Sequence, residues 1–376
     1  MNFDFSDDQK LLKDQARKFL SDKCTRKVVR TVLDNTDSQY SKELWQEIVA
    51  MGWTATAIPE EYGGLGLGML ELCVIAEELG RSLAPIPFSS SIYIFAEFLK
   101  AYGSEEQKQK YLPKIASGEM IGSFAFPETK GTPRASNLKA KVENNKLSGS
   151  KLPVNDGMVA DVLIVAANSD SNQNHNSLSL YIVETNQEGV ESKLLETLDP
   201  TRPSSQTVFH NAKCDQLGDI GEGWSMIENI LNRAAVLFAF EQVGGAQTSL
   251  DEAKKYSVER YAFGKPIGSF QALKHRMADM YVKNELAKSN AYYGAWALSS
   301  DSVELPVAAA GARVSASEAF HFASKENLQI HGGVGFTWEY DCHLFYRRSK
   351  MLSLNIGSIR KWKENLISNL EKRNIS

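Results

Sequence analysis

The chain has 376 residues, of which 43% are apolar and 23% charged, and its formal net charge is −4. The length exceeds that of one ordinary domain, and the composition is typical of a globular protein rather than a disordered one. The slightly acidic balance gives no electrostatic basis for nucleic-acid binding.

The start of the chain, Met1-Asn2-Phe3-Asp4-Phe5, is acidic and lacks a long apolar run, so we expect no secretory signal. The longest apolar stretches are far too short to span a bilayer. The four cysteines and six histidines are dispersed without metal-ligand spacing. This dispersion predicts free thiols, no metal site and a cytoplasmic location.

Residues 1–120 are predicted to be helical. Ser6 and Gln9 have the spacing of a capping box, in which the Gln reaches back to free amides at the start of a helix. A Gly-rich break follows at residues 60–66. Further helices are predicted over Leu70–Leu79 and Ser104–Ala116.

Residues 121–225 change in character. Short apolar and β-branched segments alternate with clusters of Asn, Asp, Gly, Pro and Ser, which predicts a small antiparallel sheet or barrel. The predicted strands lie at Ile121–Phe126, Asp161–Ala167, Leu178–Val183 and Thr207–His210.

Residues 226–376 are predicted to be helical again, and long helices with short links favour a bundle. Because no βαβ alternation is present, the order of elements indicates an α+β fold. The predicted helices lie at Trp224–Tyr261, Phe270–Ser299, Pro306–Leu328 and Asp341–Leu354.

The stretch from Val258 to Gln271 ends one helix, turns through Gly-Lys-Pro and opens another. Arg260 at this corner has a guanidinium that can bind a diphosphate with two parallel hydrogen bonds. Phe263 can pack on an aromatic ring, and Gln271 can present an amide to a nucleotide. The alternative is an ordinary helix corner with a surface arginine, since helix ends are often basic.

The stretch from Glu326 to Phe336 reads Glu-Asn-Leu-Gln-Ile-His-Gly-Gly-Val-Gly-Phe. Gly332 and Gly333 remove side chains where the backbone must approach another group closely, and Gln329 offers a donor and an acceptor. The alternative is a glycine C-cap that ends a helix, with His331 as a structural histidine.

Together the two stretches, Arg-x-x-Phe-Gly-x-Pro-Ile-x-x-x-Gln and Gln-x-His-Gly-Gly-x-Gly, resemble the acyl-CoA dehydrogenase family. Further similarities follow in order along nearly the whole chain. Residues 59–66 resemble the N-terminal loop of the family, and residues 102–113 resemble a signature near the end of its helical domain. Phe336-Thr337 and Glu339-Tyr340 resemble the steps that follow the glycines.

The resemblance implies an N-terminal helical domain, a middle antiparallel β-barrel and a C-terminal four-helix bundle, here residues 1–120, 121–225 and 226–376. It also implies FAD held between subunits, with Arg260 on the diphosphate of a neighbouring subunit's FAD. The residues that it assigns to the cofactor are Arg260, Phe263, Gln271, Gln329, Gly332, Gly333, Phe126 and Ser358.

The position of the catalytic base departs from the family pattern. In most members a Glu followed by Gly-Thr removes the proton α to the thioester, and the flavin accepts the hydride. The corresponding segment here is Leu354-Asn355-Ile356-Gly357-Ser358, so Ile356 occupies the base position and cannot accept a proton. The other position used in the family corresponds to Ala234 or Ala235, which cannot accept one either.

Glu241 is the carboxylate that remains as a candidate base in this chain. It lies two helical turns after Ala234 and therefore on the same face. A carboxylate among Phe238, Phe240 and Val243 would have a raised pKa unless it is paired, and a raised pKa suits a base. The alternative is a structural Glu in a salt bridge across the bundle or to a neighbouring subunit.

Two segments expected near the flavin ring also differ from the family. The usual Leu-Thr-Glu-Pro is Phe126-Pro127-Glu128-Thr129, and the usual Trp-Ile-Thr is Pro153-Val154-Asn155. These departures resemble a divergent bacterial branch that often works as paired, unlike subunits. Substrates in that branch include CoA thioesters of bulky ring systems and steroid side chains.

The sequence therefore predicts an FAD-dependent acyl-CoA dehydrogenase that converts an acyl-CoA to its 2,3-enoyl-CoA, with Glu241 or a partner's carboxylate as base. The alternative is a non-catalytic subunit that completes the FAD site of a base-bearing relative. Acyl-CoA binding or another flavin reaction on the same fold is a third reading. The expected partners are an acyl-CoA, an electron-transfer flavoprotein or similar acceptor, and like or unlike subunits.

Overall fold

A computed structural model describes residues 5–35, 38–129, 131–134, 137–169 and 177–375, with side chains up to residue 373. Helices form the first part of the chain. Ser6 begins the first of them with the predicted capping box, because its side chain accepts from the backbone of Gln9 and the Gln9 side chain accepts from the backbone of Ser6. The helices are α1 Asp7–Lys23, α2 Arg26–Asp34, α3 Lys42–Ala50, α4 Met69–Ser82, α5 Ala96–Tyr102 and α6 Glu105–Ala116, and a π-helix spans Ser89–Phe95.

Eight strands follow and pair into one sheet. The strands are β1 Gly122–Ala125, β2 Lys141–Glu143, β3 Lys146–Asn155, β4 Val162–Asn168, β5 Leu178–Glu184, β6 Val190–Leu195, β7 Ser204–Lys213 and β8 Asp215–Leu217. Their order in the sheet is β6-β7-β3-β2-β4-β5-β8, with β1 added beside β4. Most neighbours are antiparallel, but β1 and β2 each pair with β4 in parallel. A parallel pair needs a long connection, and residues 126–161 between β1 and β4 provide it.

Long helices form the last part of the chain. Those predicted from Trp224, Phe270 and Pro306 are present, each with a bound that differs by a few residues at most. The last helix, Ile359–Ile375, was not predicted, because its many charged residues give weak apolar periodicity. The elements are α7 Gly223–Glu259, β9 Tyr261–Ala262, β10 Lys265–Pro266, α8 Gln271–Ser299, α9 Leu305–His331, α10 Cys342–Leu352 and α11 Ile359–Ile375.

The order of helices, central sheet and helices is the predicted α+β layout. The chain divides into two compact units that cut across this order. The first, the bundle unit, comprises residues 1–30, 69–84 and 235–376. The second, the sheet unit, comprises residues 31–68 and 85–234. The predicted domain limits at residues 120 and 225 therefore stay predictions.

Close backbone contact between α4 and α7 organises the bundle unit. A Cβ on Gly80 would lie 1.8 Å from the carbonyl oxygen of Glu241, and one on Gly244 would lie 1.9 Å from that of Glu77. Only glycine allows backbones to approach this closely. Because the carbonyl of Glu241 is part of this contact, the crossing also fixes the position of Glu241 relative to α4.

The core of the sheet unit is formed by fully buried side chains that alternate along the strands, among them Leu147, Leu163, Val165 and Phe209. All four cysteines are free and buried. Burial raises the pKa of Cys24 to about 11 and that of Cys342 to about 12, so both stay protonated thiols at neutral pH.

Among the described residues, no helix is long and apolar enough to cross a membrane. No group of three or more His, Cys, Asp and Glu side chains in those same ranges could hold a metal ion.

Candidate functional site

The corner that follows α7 is a two-residue hairpin. Strand β9 pairs with β10 in antiparallel register, and Phe263 and Gly264 form the turn with φ of +55° and +79°. Positive φ at both central residues is the signature of the tight hairpin turn that matches strand twist. Phe263 adopts this disfavoured conformation and is 92% exposed. Backbone strain clusters at binding sites, so this turn is compatible with the predicted role of Phe263 in cofactor binding, which stays a prediction.

Arg260 and Gln271 lie at the two ends of this corner. The backbone of Arg260 is fixed, since its N–H donates to Tyr256 O at 2.8 Å and its carbonyl accepts from Ile267 at 2.8 Å. Both side chains are exposed, and neither has a hydrogen-bond or ion-pair partner within the described part of the chain. The guanidinium and the amide are therefore available to a ligand.

The segment Gly332–Phe336 follows α9 and is called the glycine turn here. It is open on its outer side. A Cβ on Gly332 or Gly333 would meet nothing within 4 Å, whereas one on Gly335 would lie 2.6 Å from Leu328 O. Gly335 is thus required by packing, but Gly333 is not. Gly332 combines φ of +63° with ψ of −139°, a conformation that favours glycine. Gln329, one turn earlier on α9, is exposed.

His331 joins the glycine turn to the corner. Its ring is buried, stacks on Tyr256 with centroids 4.1 Å apart and hydrogen-bonds through Nδ1 to Asn327 O at 2.8 Å. Because Arg260 is hydrogen-bonded to Tyr256, this stack brings the two sequence motifs together. These contacts support the structural reading of His331.

Glu241 lies in the core of the bundle unit and is only 3% exposed. Its carboxylate is 3.8 Å from the guanidinium of Arg348, which is itself 1% exposed. Arg348 also donates to the carbonyls of Leu83 at 3.2 Å and Ala84 at 3.5 Å. These contacts support the alternative that Glu241 is a structural, salt-bridged residue, and its assignment as base stays a prediction.

A second buried arginine, Arg313, forms a cluster with Glu241 and Arg348. Arg313 is 1% exposed and donates to Gln242 Oε1 at 2.7 Å and to the carbonyl of Leu352. Burial lowers the pKa of Arg313 to about 9, and the nearby charge of Glu241 opposes this shift. Sequence analysis missed both arginines, since nothing local in their sequence distinguishes them from surface cations.

The segment that should carry the base is held in place by α11. Ile356 is 8% exposed, and its carbonyl accepts from Trp362 Nε1 at 3.2 Å. The Ser358 hydroxyl accepts from the backbone N–H of Lys361 at 3.3 Å, as a helix N-cap does. The predicted contact of Ser358 with a cofactor remains a prediction.

Phe126 lies in the sheet unit at the end of β1. Its carbonyl accepts from Lys151 Nζ at 3.2 Å, and the same ammonium is 2.7 Å from Glu128 Oε1. Lys151 is fully buried, and burial lowers its pKa to about 8. The Trp224 ring, which sequence analysis did not single out, meets the Phe126 ring edge-on with centroids 5.9 Å apart.

Two parts of the chain match family models. Residues 6–119 match the model described as acyl-CoA dehydrogenase, N-terminal domain, and residues 221–359 match acyl-CoA dehydrogenase, C-terminal domain. The second match contains the corner, the glycine turn and Glu241.

Two curated relatives align over nearly the whole chain. Glutaryl-CoA dehydrogenase of Desulfococcus multivorans is 31% identical over 95% of this chain and 95% of its own. Acyl-CoA dehydrogenase IpdE2 of Mycolicibacterium smegmatis is 31% identical over 95% of this chain and 96% of its own.

Three solved structures share the fold. A structure described as the electron transferring flavoprotein of Acidaminococcus fermentans has a TM-score of 0.90 at 30% identity and covers 98% of this chain and 99% of that one. The ChsE4-ChsE5 complex of Mycobacterium tuberculosis has a TM-score of 0.89 at 25% identity, with 99% of each chain covered. A steroid acyl-CoA dehydrogenase variant has a TM-score of 0.87 at 25% identity and covers 98% of this chain and 99% of that one.

The buried pair of Glu241 and Arg348 yields a stability prediction. Arg348→Met removes the cation that pairs with the Glu241 carboxylate and the donor to two backbone carbonyls, so we expect the free energy of unfolding to fall by about 3–5 kcal/mol in urea titrations. The control is Arg360→Met, which removes an exposed pair with Glu364 and should change it by less than about 0.5 kcal/mol. A loss below about 1 kcal/mol for Arg348→Met would show that the pair is not essential.

Proposed function

Because this chain belongs to the acyl-CoA dehydrogenase family, whose members are FAD-dependent oxidoreductases, we propose that it is a subunit of an enzyme that desaturates an acyl-CoA thioester to its 2,3-enoyl-CoA. The observation that carries the proposal is the open corner beside the glycine turn. Arg260 and Phe263 are exposed on this corner, and Gly332 and Gly333 leave open space, so both surfaces could contact a nucleotide held between two chains.

These residues fit FAD by their chemistry. Arg260 would bind the diphosphate with two parallel, charge-assisted hydrogen bonds, and Gln271 would hydrogen-bond through its amide. Gln329 and the backbone at Gly332 and Gly333 would contact the same nucleotide from the other chain. When bound, FAD supplies the hydride acceptor of the desaturation.

In the sheet unit, Phe126 would face the flavin end of the cofactor. The buried Lys151 holds the carbonyl of Phe126 and the carboxylate of Glu128, so this strand end is fixed before any ligand binds. The Glu128 carboxylate already accepts from Lys151 and from two backbone N–H groups, so the proposed role of these residues is to shape the flavin site.

The source of the base separates two versions of the proposal. In the first, Glu241 removes the α proton. In the second, a carboxylate of an unlike partner removes it and this chain completes the FAD site. The contact of Glu241 with Arg348, and the isoleucine at position 356, favour the second version. Glu241 already serves as the counterion of Arg348, and Ile356 has no group that accepts a proton.

The acyl group and the assembly are part of the same proposal. We propose a bulky or steroid-derived acyl group and an unlike acyl-CoA dehydrogenase partner, although a homo-oligomer stays open. Support comes from the similarity to a steroid acyl-CoA dehydrogenase and to the two-component ChsE4-ChsE5 complex. An electron-transfer flavoprotein is the proposed acceptor, in line with the similarity to the Acidaminococcus structure. The cytoplasmic location stays a prediction from the dispersed cysteines.

Gly333→Ala tests the cofactor site. The added Cβ meets nothing in the chain, so the free energy of unfolding should change by less than about 0.5 kcal/mol. FAD affinity, measured by fluorescence titration of the deflavinated oligomer, should fall roughly tenfold or more, because the methyl group occupies the space of the nucleotide. Gly311→Ala is the matched control, since its Cβ also meets nothing, and it should leave FAD affinity unchanged. Equal affinities for both variants would remove the glycine turn from the FAD site.

Glu241→Gln tests the source of the base in the assembled enzyme. Removing a general base lowers kcat by about 10²–10⁴-fold. We expect kcat to change by less than roughly tenfold with FAD retained, whereas the free energy of unfolding falls because Arg348 loses its counterion. Glu326→Gln, which removes another buried carboxylate of the bundle unit, provides the background change. A loss of kcat of a hundredfold or more, with fold and FAD intact, would establish Glu241 as the base instead.

A further inference from the structure

A polar cleft of about 260 Å³ lies within the bundle unit, away from the corner and the glycine turn. Its volume is just below the range of about 300–1,000 Å³ that is usual for small-molecule sites. Each of four helices contributes a pair of polar residues one helical turn apart, and such pairs share a helix face. The pairs are Lys13 and Arg17 on α1, Glu77 and Arg81 on α4, Gln247 and Asp251 on α7, and Asn284 and Lys288 on α8.

Three cations of this cleft are matched by three carboxylates. Each cation has its own carboxylate, and Gln247 donates to the remaining oxygen of Asp251 at 2.9 Å. These groups therefore neutralise one another. The pairs are Lys13 with Glu77 at 2.6 Å, Arg17 with Glu78 at 2.8 Å, and Arg81 with Asp251 at 3.0 Å.

Lys288 is the cation left over. Its ammonium lies 5.7 Å from the centroid of the Tyr292 ring, and it has no carboxylate partner among the residues that the structure describes. The cleft therefore carries one positive charge in excess. An ammonium of this kind attracts an anion, and the walls of a cleft strengthen the attraction by keeping out water.

Asn284 supplies a buried hydrogen-bond acceptor to the same cleft. The residue is 1% exposed, and its Nδ2 donates to Gln247 Oε1 at 3.0 Å. Its Oδ1 has no donor within the described ranges, although it is shielded from solvent. A buried acceptor without a donor is costly, so a ligand hydroxyl that reaches it is favoured. Asn284 and Lys288 lie one turn apart on α8 and can contact the same small molecule.

We propose that this cleft binds a small oxyanion that also carries a hydroxyl group. Lys288 would bind the charged oxygens, and the hydroxyl would donate to Asn284 Oδ1. Hydrogenphosphate has this chemistry in its simplest form, and small hydroxycarboxylates have it in organic form. Both fit a cleft below the usual size for small-molecule sites.

The test compares anions with and without a hydroxyl on the FAD-loaded protein, so that the nucleotide site is already filled. Isothermal titration calorimetry with sodium phosphate and sodium sulfate provides one pair, and glycolate and acetate provide the other. We expect the hydroxyl-bearing member to bind roughly tenfold more tightly in at least one pair, as one added hydrogen bond predicts. The pair that shows the difference identifies the ligand as phosphate or as a hydroxy acid. No binding, or equal binding within both pairs, would overturn the proposal.

Two variants assign the binding to these side chains. Asn284→Leu should abolish the difference within the pair, while the anions still bind through Lys288. Lys288→Met should weaken both members about fivefold or more, whereas Lys283→Met, an equal change of charge on the same helix that contacts Phe322, should not. Circular dichroism and FAD retention check the fold. If Asn284→Leu does not fold, the contrast between Lys288→Met and Lys283→Met decides, and equal effects of these two overturn the proposal.

Discussion

The bundle unit depends on one requirement: the charges of Arg313 and Arg348, both buried, must be balanced. Glu241 provides the nearby negative charge, and the arginines use their other donors on backbone carbonyls. Arg348 thereby holds the end of α4, and Arg313 holds Leu352 at the end of α10, four residues before Ile356. Because buried charges are tolerated only when they are paired and hydrogen-bonded, this cluster fixes the segment that carries the base in most of the family.

The same requirement separates the two ends of the proposed FAD site. At the corner and the glycine turn, the side chain of Arg260 and the space above Gly333 are free for a ligand. At the reacting end, Ile356 cannot accept a proton and Glu241 already has a counterion. The proposal is therefore that this chain binds the nucleotide with its own residues and depends on another carboxylate for proton abstraction. A cofactor held between subunits, as proposed here, would accommodate this division.

Much of the fold followed from local patterns. The Gly-Lys-Pro turn correctly placed the end of α7 and the start of α8, although the hairpin between them depends on φ values that the letters Phe263 and Gly264 do not specify. The parallel pairing of β1 with β4 could not be predicted, because it depends on partners distant in the sequence. A salt bridge of Glu241 was one of the two alternatives, but its partner Arg348 was not identified, for the same reason. Sequence periodicity shows that a carboxylate is buried, but only the packing of α10 shows that Arg348 meets it.

The proposal that proton abstraction depends on a partner's carboxylate is tested most directly by FAD content and flavin reduction. Both are measured on the protein alone and with an unlike acyl-CoA dehydrogenase subunit. We predict that this chain retains FAD in the mixed assembly, at one FAD for each unlike pair. We also predict that acyl-CoA bleaches the flavin absorbance anaerobically only when the partner is present. A homo-oligomer of this chain with one FAD per subunit, fully bleached by an acyl-CoA, would contradict it.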